Sequence, residues 1–103
     1  MKEISVSELK EIVGSVSLVD VREPDEYSVA HVPGALLIPL ATVPVRMNEL
    51  DKSQTQYLIC KSGGRSARAG DFLASQGFDV VNVVGGTDAW VESGEPFNTG
   101  TDA

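Results

Sequence analysis

The chain has 103 residues, 42% of them apolar, enough for one compact domain (1–103) with a modest core. Its net charge of −7 argues against nucleic acid as a partner, because phosphate backbones need a basic surface. One cysteine and one histidine cannot supply a disulfide or a zinc ligand set, and the absence of an apolar leader or a run of about 18 apolar residues predicts a soluble, cytoplasmic protein without a membrane partner.

Ser5-Val6-Ser7-Glu8 has capping-box spacing, and Val6, Leu9, Ile12 and Val13 share one helical face before Gly14. The first element is therefore predicted to be a short helix. Ser17–Val21 is an apolar run suited to a buried strand, and the polar residues Arg22–Glu26 read as a turn. Leu36–Ile38, bounded by Pro33-Gly34 and Pro39, is a second strand candidate. Thr42 can cap a helix with Pro44 in its first turn. Gln56–Ile59 then reads as a strand, Ser66–Gln76 as a helix closed by Gly77, Asp79–Val84 as a strand, and Thr87–Glu92 as a last short helix. Apolar strands that alternate with helices belong to a parallel sheet covered on both faces, so the fold class is α/β. Residues 98–103 look like a loose tail.

Residues 1–51 carry four Lys/Arg and nine Asp/Glu, and residues 71–103 carry six acids and no base, whereas residues 52–70 hold Lys52, Lys61, Arg65 and Arg68 and no acid. The one cationic window is the one that contains Cys60. That thiol follows a strand and precedes "KSGGRS" and a helix. Ligands of parallel α/β sheets bind beyond the carboxyl ends of the strands. Gly63 and Gly64 permit a tight loop whose N–H groups turn inward as an anion nest, and the following helix aims its positive end at the same place. A cysteine so placed, beside Lys and Arg, has a depressed pKa and a nucleophilic thiolate. Alone, a lone cysteine is most often a small buried hydrophobe, and Gly-Gly a hairpin turn. A hairpin needs an alternating strand after the glycines, and Ser66–Ala74 is helix-like instead.

The stretches "LVDVREPDEYSVAHVPGALLIPL" (18–40) and "YLICKSGGRSARAGDFLASQGFDVVNVVGGTDAW" (57–90), in this order and spacing, resemble a single-domain rhodanese, a sulfurtransferase. The resemblance runs from about Ile4 to Pro96. It implies a five-stranded parallel sheet flanked by helices, no cofactor, and a ping-pong reaction. In that reaction Cys60 takes a sulfane sulfur from a donor such as thiosulfate, and a thiophilic acceptor, cyanide or a thiol, cleaves the resulting persulfide. Backbone N–H groups from Lys61 through Ser62, Gly63, Gly64 and Arg65 to Ser66 are then expected to hold the persulfide, with Lys61 and Arg65 orienting an anionic donor. Arg68 reads as a solvated charge.

Fold-related cell-cycle phosphatases have five residues between cysteine and arginine, whereas only four separate Cys60 from Arg65 here, which disfavours phosphatase activity. Asp20 and Arg22 match the family's acid and arginine near the site rim; a structural ion pair is the expected role, with a secondary contribution of Arg22 to the site as the alternative. His31 is expected to be structural too. Gly85-Gly86 and Trp90 match a packing motif. Lys61 stands where many relatives have Arg, a compact charge without a bidentate fork. Ala30 replaces a frequent glycine. The alternative function is a sulfur-relay or binding module that hands sulfur to a protein thiol, with little small-molecule turnover.

Overall fold

The computed structural model describes residues Met1–Ala103. In chain order the elements are β1 (Lys2–Ile4), α1 (Val6–Ile12), β2 (Ser17–Asp20), α2 (Pro24–Val29), β3 (Leu36–Leu37), α3 (Val43–Arg46), β4 (Gln56–Ile59), α4 (Gly64–Ser75), β5 (Val80–Val83) and α5 (Gly86–Glu92). Short 3-10 turns at Leu40–Thr42 and Met47–Glu49 flank α3. The five strands form one parallel sheet in the order β1-β5-β4-β2-β3.

Side-chain alternation along the strands divides the core in two. Val19, Leu58 and Val80 point to the face packed by Val43, Ala69 and Leu73 of α3 and α4. Leu18, Ile59 and Val83 point the other way, to Leu9, Tyr27 and Trp90 of α1, α2 and α5. Both faces are thus covered, as expected for apolar parallel strands. Each large side chain buried this way stabilises the fold by about 1.5–3 kcal/mol relative to exposure. No helix is long and apolar enough to cross a membrane.

Several elements differ from expectation. β1 has no counterpart among the elements expected from residue pattern: two of its three residues are charged, and it is defined by parallel pairing along the edge of β5. The segment read as a polar turn starts α2: Pro24 occupies the first turn, and the Glu23 N–H donates to the Glu26 carboxylate at 3.1 Å. Thr42 occupies the N-cap position of α3 with Pro44 in the first turn, but its side chain makes no cap, because its hydroxyl donates to the Pro39 carbonyl at 2.7 Å. α4 begins two residues before Ser66, at Gly64. The expected loose tail folds back: Asn98 and His31 exchange backbone hydrogen bonds of 2.9 Å, and the Gly100 N–H reaches the Ser28 carbonyl at 2.8 Å.

Candidate active site

Cys60 directly follows β4, at the carboxyl edge of the sheet, and is 1% exposed. The chain turns sharply after it because Gly63 adopts φ +115°, a conformation that side-chain-bearing residues avoid. Gly64 has no positive φ, so only the first of the two glycines is required by the turn. The loop's carbonyls are held from outside by α5: the Thr87 N–H donates to the Cys60 carbonyl at 2.9 Å and the Asp88 N–H to the Lys61 carbonyl at 3.0 Å. Gly86 permits this approach, since a Cβ there would overlap both carbonyls.

With its carbonyls turned outward, the loop turns donors inward. The Gly63 N–H donates to Cys60 Sγ at 3.1 Å, and the Ser66 hydroxyl lies 3.3 Å from the same sulfur. Burial pushes the thiol up, but hydrogen bonds from the Ser66 side chain and from the backbone at Ser66, Gly63 and Ser62 outweigh it. The thiol is therefore held below its ordinary value. The site favours an anionic sulfur through aimed dipoles.

The positive field expected from the basic window is largely neutralised. Lys61 Nζ pairs with Asp88 at 2.9 Å, and both side chains are exposed. Arg65 forks onto Glu26 with contacts of 2.7 and 2.8 Å. The Arg65 hydrogen bond lowers the Glu26 carboxyl to about 2 against a partial opposing effect of burial. Arg68 is exposed, as expected. Glu26 and Asp88 were missed because they lie far from Cys60 in sequence, and only α2 and α5 bring them to the loop.

Asn82 was also missed. It is 4% exposed, and it shares its face of β5 with Val80, toward α4. Its amide contacts the Ser66 hydroxyl and donates to the Gly63 carbonyl at 3.2 Å. The available signal was an amide at an inward position of the otherwise apolar run "VVNVV".

The remaining predicted residues are consumed structurally. Asp20 is fully buried, and Arg22 is 5% exposed. The Arg22 guanidinium meets the carboxylate through Nε at 3.0 Å and Nη2 at 2.8 Å, and Nη2 also donates to the Ala30 carbonyl at 2.7 Å. His31 stacks on Tyr27 with ring centroids 3.6 Å apart, and its nitrogens face the carbonyls of Tyr27 and Asp102 at 2.8 and 2.6 Å. Neither ring nitrogen is directed to the thiol. Trp90 is buried and its indole N–H donates to the Pro96 carbonyl at 2.9 Å.

Between α2 and α5, beside the loop, lies an open groove of about 500 Å³, bordered by Lys61 and Asp88 on one side and Glu26 and Val29 on the other. Of the cysteine loop, Lys61 borders it.

Comparison with known proteins agrees with this geometry. The chain is 40% identical over 101 residues to "Putative sulfurtransferase YtwF" of Bacillus subtilis, covering 95% of the chain and 98% of that protein. It is 45% identical over 92 residues to "Putative sulfur carrier protein YrkF" of the same organism; the match takes in 85% of the chain but spans only 50% of that relative's length. The crystal structure of a rhodanese-like domain protein from Staphylococcus aureus superposes with a TM-score of 0.88 at 36% identity, covering 98% of this chain and 100% of that one. The rhodanese-like domain family model matches residues 5–93, and the chain belongs to that family.

Proposed function

We propose that the protein is a sulfurtransferase in which Cys60 carries a sulfane sulfur from an anionic donor of the thiosulfate or persulfide class to a thiophilic acceptor. The observation that carries this reading is the convergence of the Gly63 N–H and the Ser66 hydroxyl on a single buried sulfur. Both support a negative charge that reappears on sulfur at every stage of the cycle.

The Cys60 thiolate attacks the outer sulfur of the donor. A new S–S bond forms, the donor's S–S bond breaks, and the leaving group, sulfite when the donor is thiosulfate, departs with the electron pair. The acceptor's lone pair, from cyanide or a thiolate, then attacks the outer sulfur of the persulfide, and Cys60 leaves as the thiolate. The thiolate is the attacking form, and the hydrogen bonds on Sγ that hold the thiol below its ordinary value favour it without a separate general base. Backbone N–H groups from Lys61 to Ser66 cradle the persulfide. The exposed Lys61 ammonium exchanges Asp88 for the donor's anionic head, while Arg65, committed to Glu26, fixes α2 against the loop.

A second reading, a relay module serving a protein thiol, is favoured by the open groove beside the loop. Thiocyanate formation from thiosulfate and cyanide, measured for the intact protein and Cys60→Ser, separates the two. Turnover that disappears in the variant supports the enzyme, and a folded intact protein without turnover supports the relay.

A further inference from the structure

Asn82 is a costly residue for its position. The strand that carries it is buried along its whole length, and its neighbours on that strand are valines. An amide is tolerated there only if its polar atoms are paired. Both are, and both partners belong to the cysteine loop: Oδ1 meets the Ser66 hydroxyl, and Nδ2 donates to the Gly63 carbonyl. Gly63 and Ser66 both contact Cys60 Sγ, at 3.1 and 3.3 Å. One amide, anchored in the rigid centre of β5, therefore holds both donors from behind.

We propose that Asn82 is a positioning residue for sulfur transfer: it fixes the Gly63 turn and the Ser66 hydroxyl so that both stay aimed at the sulfur of Cys60. This rests on the reading of Cys60 as the sulfur carrier, and adds a residue from β5, the strand paired with β4, to the cysteine loop. The Gly63 carbonyl also accepts from the Ala67 N–H at 3.1 Å, so the first turn of α4 is tied to the same anchor. Ser66 has a single hydroxyl proton, with the sulfur, the Gly63 carbonyl and the Asn82 oxygen all in reach. An anionic sulfur draws that proton to itself, and Asn82 keeps the oxygen close enough for the exchange to need only a rotation about the C–O bond.

The test is the pH dependence of Cys60 alkylation by iodoacetamide, which reads ionisation of the thiol whether or not any sulfur substrate turns over. The variants are Asn82→Leu, of similar volume, Ser66→Ala, and the two combined, with circular dichroism confirming the fold. The expected result is an upward shift of the midpoint in Asn82→Leu of roughly half a pH unit or more. In the double variant the two shifts are expected to sum to less than their separate values, because Asn82 acts partly through Ser66. An unchanged or lowered midpoint in folded Asn82→Leu, or full additivity, overturns the proposal. Asn82→Thr, which suits a strand and retains a hydroxyl, replaces Asn82→Leu if the latter fails to fold, and the same shift is expected of it. Failure of thiosulfate turnover in the intact protein would count against the sulfurtransferase reading and would leave the alkylation result interpretable.

Discussion

The cysteine loop and the Asp20–Arg22–His31 cluster occupy the same edge of the sheet, and both are assembled from residues of the type enzymes use. They differ in where their hydrogen bonds end. In the cluster, Arg22 and His31 spend their polar atoms on a buried carboxylate and on carbonyls of Ala30, Tyr27 and Asp102. In the loop, donors end on the Cys60 sulfur, the atom proposed to carry the sulfane sulfur. A polar group whose partners are backbone atoms is holding the chain, whereas one aimed at a nucleophile is tuning it.

Substitutions can break this division of labour. The largest effect on stability is expected from Arg22→Ala, which leaves the fully buried Asp20 carboxylate without its partner and costs about 3–5 kcal/mol. Urea unfolding measures it, while the alkylation midpoint of the protein that remains folded stays where it was. A midpoint that moved with Arg22 would make the cluster part of the sulfur site. Ser66→Ala is expected to do the opposite: it removes the strongest hydrogen bond lowering the thiol, so the Cys60 midpoint rises by roughly half to one pH unit. The smallest effect belongs to Glu26. Its carboxyl is lowered from 4.5 to about 2 in the fold, so its contribution is complete above pH 4.5 and is lost as pH falls toward 2. Glu26→Gln should flatten the fall in unfolding free energy over that window, by less than about 1 kcal/mol because the pair with Arg65 is partly exposed.

What the sequence disclosed follows the same physical line. β2, β4, β5 and α4 were legible because apolar runs and glycine stops are local signals, and Cys60 with its loop was legible because the whole device is contiguous from Ile59 to Ser66. β1 was not legible: Lys2 and Glu3 carry no apolar pattern, and the strand is defined by pairing with β5. α2 was hidden because Glu23-Pro24-Asp25-Glu26 serves equally as a turn and as a helix start. Asn82, Glu26 and Asp88 entered the site only through tertiary contact, on strands and helices distant from Cys60. Their presence changed the electrostatics from an assumed basic field to paired cations around a hydrogen-bonded thiol.

The most direct measurement is intact mass spectrometry of the protein after incubation with thiosulfate and after subsequent addition of cyanide. The account predicts a gain of one sulfur atom, mapped to Cys60, that cyanide removes. A protein that stays folded and alkylatable at Cys60 yet gains no sulfur from thiosulfate or from a low-molecular-weight persulfide would contradict it.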